Sequence, residues 1–360
     1  VRAAQAVEKA LRRARPDASV QHVDVLELAT PAFRRAYGKG YLDLAGHAPH
    51  LFGWLYDTFD KPSRSGKGRG DRLALMVERL NLRRLRKLLD AERPDIVACT
   101  HFLPAALVAS RRRRGRFDVP MAVVLTDFEA HRLWANEPCE LYTVAHEIGA
   151  VGLAAWGVPR ERIHVTGIPI DLVFEARRHG GSCRRAFDLA TDRPVVLQLS
   201  GGFGIGQPEA VLAAIEAVER PIHVVAVTGR NEAARKRLEA MPPSPRHRRT
   251  VLGFTDRIDE LMAAADLVVT KPGGLTTSEC MARGVPMLIV SPIPGQEMRN
   301  ADLLLEEGAA VKANSLALIT MKVGELVDDA PRLERLAAAT QRLARPHAAR
   351  DIAELCLSLA

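Results

Sequence analysis

The sequence predicts an α/β protein made of two doubly wound, parallel-sheet domains in tandem. Three observations carry this: strand-like apolar runs alternate with helical stretches along the chain, a second alternating series starts after Pro194, and a stretch rich in Gly, Arg and turn residues separates the two. The first series reads QHVDVLEL, a long helix near 71–91, then DIVACTH, VPMAVVLTD, LYTVA and IHVTG. The second reads VVLQLS, HVVAVTG, TVLGF, LVVTK, MLIVS and AAVKA, each followed by a turn and usually by a helix. The expected boundaries are an N-terminal domain at 1–168, a linker at 169–192, a C-terminal domain at 193–340 and a last helix at 341–360 that crosses back to the N-terminal domain. Ligands of doubly wound sheets gather at the carboxyl ends of the strands, so the cleft between two such domains is the expected site.

Composition agrees with this reading. A chain of 360 residues exceeds what one ordinary core supports, and 47% hydrophobic with 26% charged residues is the balance of a globular protein. The longest apolar runs, such as VPMAVVL, fall well short of the roughly 20 residues that span a bilayer. The opening VRAAQAVEKALRRAR is a charged amphipathic helix without the apolar core of a leader, and the expected location is cytoplasmic. Five scattered cysteines with no CxxC pair suggest neither a disulfide framework nor zinc. The net charge of +8 is local: 27 Lys and Arg face 19 Asp and Glu in residues 1–170, and 24 face 24 after it. The excess gathers in Arg12, Arg13, Arg15, the loop KPSRSGKGRGDR at 61–72, Arg83 to Lys87 and Arg111 to Arg114. Two readings stand side by side, a solvated basic surface and a patch for an anionic partner such as a membrane surface. Nucleic acid is disfavoured, because the basic runs carry no interleaved aromatics and no recognition motif.

Three motifs in the second half carry chemistry. LSGGFGIG follows the strand VVLQL and precedes a helix near Pro208, so Gly201, Gly202, Gly204 and Gly206 can turn backbone amides toward a phosphate. Its spacing is not that of a dinucleotide fingerprint, and no Walker lysine follows. In LVVTKPGGLTTSE, the strand ends at Lys271-Pro272, Gly273 and Gly274 make a tight turn, and Thr276, Thr277 and Ser278 offer hydroxyls and amides at a helix start. Glu279 has two readings: it caps its own helix through the Thr276-to-Glu279 spacing of a capping box, or it accepts two hydroxyls of a ribose. In GQEMRNA, Gln296 and Asn300 stand four apart on one helix face, where neutral amides suit sugar hydroxyls.

Together these passages, in this order and spacing, resemble the C-terminal domain of the GT-B glycosyltransferases, which consist of two Rossmann-like domains facing a central cleft. The nearest branch contains the monogalactosyldiacylglycerol synthases and processive diacylglycerol glucosyltransferases, with the lipid-II GlcNAc transferase more distant. The N-terminal half is similar to the same branch through an aromatic-rich helix (Phe33, Tyr37, Tyr41, Phe52, Trp54, Tyr56) and through DIVACTHFLPA, VLTDFEAHRLWAN and HVTGIPI. The resemblance implies that Phe254 and the backbone near Thr255 face uracil, that Gly273 to Thr277 face the diphosphate, that Glu279 holds the ribose and that Gln296 with Asn300 holds the donor sugar. It implies an inverting transfer of a hexose from a UDP-sugar to diacylglycerol or a related lipid, with the UDP-sugar as co-substrate, no cofactor and no metal. The aromatic and basic residues of the first half would sit at an anionic membrane surface, with the enzyme peripheral to the inner membrane.

In this family the base is usually assigned to a histidine in a Gly-rich loop after the first strand. The sequence given starts at the helix that follows this loop, so the first strand, its loop and the base are expected upstream of Val1. His101, Asp127 and His131 are the remaining strand-end candidates for the acceptor side. Two other functions share the donor pocket, a UDP-GlcNAc 2-epimerase and a non-catalytic nucleotide-sugar-binding protein.

Overall fold

The computed structural model describes residues 1–35, 82–199 and 207–360. It divides into two compact units. The first comprises Val1–Leu172, Pro294–Gln296 and His347–Ala360, and the second comprises Val173–Ile293 and Glu297–Pro346.

The first unit contains α1 (Arg2–Ala14), α2 (Val25–Leu28), α3 (Arg83–Glu92), β1 (Val97–Cys99), α4 (Phe102–Arg113), β2 (Met121–Val124), β3 (Leu141–Val144), α5 (Glu147–Ala155) and β4 (Ile163–Val165). Its four strands pair in parallel in the order β1-β2-β3-β4. Met121–Val124 and Leu141–Val144 are buried at every residue, which is why their sequences are unbroken apolar runs rather than alternating ones.

The run QHVDVLEL departs from expectation, because it holds the short helix α2 in place of a strand. The Asp24 carboxylate accepts the N–H of Leu26 at 3.0 Å and starts a helical turn, a local bond that overrides the strand-like pattern. The basic run Arg111–Arg114 is also partly internal. Arg111 is buried, pairs with Asp90 and stacks 5.2 Å from the Phe117 ring, and Arg112 makes two 2.6 Å bonds to Glu140. Arg113 donates to the Glu137 carbonyl as well, so at least three of the four guanidiniums of that run are engaged with the fold.

The second unit contains α6 (Gly180–Ala186), β5 (Val195–Leu199), α7 (Pro208–Ile215), β6 (His223–Val227), α8 (Glu232–Glu239), β7 (Arg248–Leu252), α9 (Ile258–Ala264), β8 (Leu267–Thr270), α10 (Gly274–Arg283), β9 (Met287–Val290), α11 (Gln296–Glu306), β10 (Ala310–Ala313), α12 (Leu316–Asp328) and α13 (Ala330–Leu343). Gln296, the first residue of α11, is grouped with the first unit. The six strands are parallel in the order β10-β9-β8-β5-β6-β7, which read from the β7 edge is the 3-2-1-4-5-6 winding of dinucleotide-binding sheets. The winding reverses between β5 and β8, paired through Val196 with Leu267, Leu197 with Val268 and Gln198 with Val269. The crevice beyond the carboxyl ends of these two strands, Leu199 and Thr270, is where such a sheet takes a ligand.

The last helix, α14 (Ala348–Leu357), belongs to the first unit and packs along α1. Ala6 and Ala10 meet Ala349 and Ala353, and Val7 joins Ile352 and Cys356 over Ala122, Val124 and Leu141. Small side chains let the two helices approach closely.

Candidate functional site

The turn after β8 is built from its strand outward. Leu267–Thr270 is buried throughout, and the chain leaves it through Lys271 and Pro272 to reach α10. Gly273 is the N-cap of α10, at φ −70° and ψ 136°, and no side chain caps the helix. The N–H groups of its first turn therefore have no intrahelical acceptor and no side-chain cap. They carry the positive end of the helix dipole.

This placement corrects the capping-box reading of Glu279. The helix begins at Gly274, so Thr276 is its third residue and not a cap, and the capping-box reading falls. Glu279 lies past the first turn and is 2% exposed, so it does not serve as a surface charge on the dipole either. The Thr277 hydroxyl turns inward and donates to the carbonyls of Gly273 and Gly274, both at 3.0 Å. It ties down the helix start and leaves the amides before it without a side-chain acceptor. At the far end, Gly284 takes φ 65° and closes α10 with bonds to the carbonyls of Cys280 and Met281.

The next helix closes over this turn. Asn300 is buried and its Nδ2 donates to the Pro272 carbonyl at 3.1 Å, linking α11 to the turn. Glu297 accepts the Ile293 N–H at 2.7 Å through Oε2, and its Oε1 would lie 3.9 Å from a Cβ placed on Gly273. Burial raises the Glu297 pKa above the ordinary carboxylate range and lowers that of Lys271, while the field of each partly restores the charge of the other. Neither residue was singled out in the sequence, where Glu297 reads as an acid at an exposed helix start. Its position beside a predicted sugar-facing pair was the signal available.

At the ends of β6 and β7, Phe254 is 66% exposed and the Arg230 guanidinium stacks 5.2 Å from its ring. An exposed aromatic beside a cation is a platform for a planar base. Thr255 Oγ1 accepts the Arg257 N–H at 3.1 Å and shapes the turn into α9. Gly201, Gly202, Gly204 and Gly206 lie outside the described residues, as do Tyr37, Tyr41, Phe52, Trp54, Tyr56 and the basic loop 61–72.

In the first unit, the sequence candidates collect at the carboxyl ends of the strands. His101 follows β1 and caps α4, its Nδ1 accepting the Leu103 N–H at 3.1 Å. His131, after β2, caps a 3-10 turn by accepting the Leu133 N–H at 3.1 Å. Both imidazoles therefore carry their proton on Nε2 when neutral. Burial lowers the His101 pKa to about 4, which favours that neutral form. Asp127 is buried, and its Oδ1 accepts from Gln296 Nε2 at 3.1 Å within the first unit. His146 repeats the capping pattern after β3 at 3.4 Å, a role that sequence reading passed over because histidine is not a usual cap.

Two parallel-sheet α/β units, the second wound as a nucleotide-binding sheet with an uncapped helix at its reversal, are the build of the GT-B fold. Solved structures share the build. They include Acinetobacter baumannii MurG, with a TM-score of 0.55, 18% identity and 76% of each chain covered, and an S. aureus MnaA-UDP co-structure, with a TM-score of 0.62, 14% identity and 100% and 95% covered. Residues 1–170 match the family model described as Monogalactosyldiacylglycerol (MGDG) synthase, and residues 207–355 match the Glycosyltransferase family 28 C-terminal domain. A processive diacylglycerol β-glucosyltransferase of Bacillus subtilis is 34% identical over 71% of this chain and 66% of its own length. That of Bacillus cytotoxicus is 33% identical over 76% and 70%. The chain belongs to this glycosyltransferase family, and it spans somewhat less than two thirds of the length of the Bacillus subtilis relative.

Proposed function

We propose that the protein is an inverting glycosyltransferase that moves a hexose from a UDP-sugar to diacylglycerol or a related lipid at a membrane surface. The observation that carries the donor half is the uncapped start of α10 at the reversal of the second sheet. Amides there have no acceptor of their own and suit a diphosphate. In this reading Gly273, Gly274 and Thr276 line the diphosphate side, Thr277 braces the turn from within because its hydroxyl and N–H are both spent on turn carbonyls, and Phe254 with the Thr255 backbone takes uracil. Glu279 takes the ribose hydroxyls, and Gln296 with Asn300 the hexose. The amides and the helix end stabilise the departing diphosphate without a metal.

The acceptor half rests on family membership. The relatives are named for diacylglycerol, and among the described residues no helix is long and apolar enough to cross a membrane, which suits an enzyme that meets its lipid at the surface. His101 and His131, with Nδ1 engaged as a cap, are proton donors rather than bases at Nε2. Their proposed role, with Asp127, is to position the acceptor hydroxyl.

The test combines purified protein with labelled UDP-glucose or UDP-galactose and diacylglycerol vesicles. One donor is expected to give a glycolipid of inverted anomeric configuration. UDP binding without glycolipid from either donor would remove the lipid assignment and leave the donor site standing.

A further inference from the structure

Lys271 sits where β8 ends, on the strand that flanks the reversal of the second sheet, one proline before the N-cap of α10. It is half-buried, and among the described residues it makes no hydrogen bond and no close ion pair. The charge nearest to it in effect is Glu297, whose carboxylate is itself committed to the Ile293 N–H and lies against the Gly273 cap. A half-buried ammonium without a bonded partner gives up hydration and gains little from the fold alone. The same corner presents the uncapped amides of α10, and Gly273 keeps the N-cap bare of side chain, so an unbonded cation stands two residues before the helix mouth. Other cations of this unit do find carboxylate partners, as Arg235 does in Glu232 and Arg257 in Glu260.

We propose that Lys271 is the cationic contact for the diphosphate of the donor, and that Glu297 is a positioning residue that holds the ammonium at the mouth of α10. The inference rests on the UDP-sugar reading above and adds to it the source of positive charge. As the hexose departs, the bond between its anomeric carbon and the diphosphate oxygen breaks with both electrons staying on that oxygen, and the added negative charge falls beside the Lys271 ammonium. Lysine here takes the part that a divalent cation plays in sites built on carboxylate pairs.

Calorimetry with UDP and with uridine, on the full chain, tests this. Lys271→Met and Lys271→Gln are expected to weaken UDP binding about 10-fold to 100-fold, as loss of a charge-assisted bond does, while uridine binding stays within about twofold. Lys271→Arg is expected to keep most of the preference for UDP. Glu297→Gln is expected to reduce that preference by a smaller factor with uridine again unaffected. Equal losses for UDP and uridine, or no loss for either, would overturn the assignment of Lys271. Collapse of the fold in both neutral variants would assign the residue to stability instead and overturn it as well. Wild-type protein that binds neither ligand would remove the UDP-sugar reading itself.

Discussion

The Asp259→Ala variant tests the internal scaffold of the second unit. Asp259 Oδ2 accepts from Arg178 Nε at 2.8 Å and from Arg283 Nη2 at 3.2 Å, and its side chain is 3% exposed. Arg283, the last residue of α10, is 4% exposed, stacks 4.9 Å from the Phe174 ring and donates to the carbonyls of Val173 and Ala176. Burial already lowers its pKa, and Asp259 opposes that effect. Truncation leaves the Arg283 guanidinium buried without a counter-charge, which costs about 3–5 kcal/mol. Arg178 is 35% exposed and can turn to water, so it adds little, roughly 1 kcal/mol at most. The remaining carbonyl partners of Arg283 place the sum toward the lower end of the range. For a unit of this size that corresponds to a fall in Tm of about 6–20 °C. Thermal and urea unfolding followed by circular dichroism reads it, and the double variant Asp259→Ala/Arg283→Met is expected to recover part of the loss by replacing the orphaned charge with an apolar contact to Phe174. A loss below about 1 kcal/mol for Asp259→Ala would refute the claim that this buried ion cluster holds α10 in place.

Three further outcomes are expected. Gly273→Ala should leave Tm unchanged or slightly raised, since φ −70° suits alanine and its Cβ meets only Glu297 Oε1 at 3.9 Å, yet UDP affinity should fall about 10-fold because the methyl occupies the helix mouth; calorimetry showing full affinity would reject that placement. Glu279→Gln should weaken UDP binding about 10-fold while leaving 2′,3′-dideoxy-UDP unaffected, and equal losses for both would separate Glu279 from the ribose. His223 is fully buried, accepts the Ala190 N–H at Nδ1 and bonds Thr250 Oγ1 at Nε2, and burial lowers its pKa to about 4. Its folded pKa lies below the unfolded value of 6.5, so its contribution is complete above about pH 6.5 and is lost as pH falls toward 4; the Tm of the wild type should drop more steeply across that window than that of His223→Gln.

The architecture was legible because its signal is local and repeated. LVVT, MLIV and HVVAV are apolar runs too short for helices, and each ends in a turn that the sheet uses to leave a strand. QHVDVLEL shows where this logic fails: one carboxylate at Asp24 bonds the next turn and makes a helix from a strand-like alternation. Thr276 and Glu279 show the opposite failure. The capping-box spacing is present, but the helix begins two residues before Thr276, because the chain leaving β8 reaches helical geometry at Gly274. The start of this helix is fixed by where the strand ends, and a four-residue spacing does not record that.

The candidate site divides along the same line. Gly273, Gly274 and Thr277 are contiguous with β8, so their placement at the helix mouth follows from the strand-turn-helix pattern alone. Glu297 and Asn300 reach the same corner from α11, one strand further along, through bonds to Ile293 and Pro272. The partners of those two side chains were invisible in sequence because a carboxylate at a helix start is ordinarily solvated. Its burial depends on the next strand, β9, lying beside β8 in parallel register, Val268 with Met287 and Thr270 with Ile289. That register brings the turn after β9 against the turn after β8, which converts an ordinary surface acid into a desolvated one within the field of Lys271. The charge balance of the corner is thus a product of strand order, and it would be lost in any winding that separated β8 from β9.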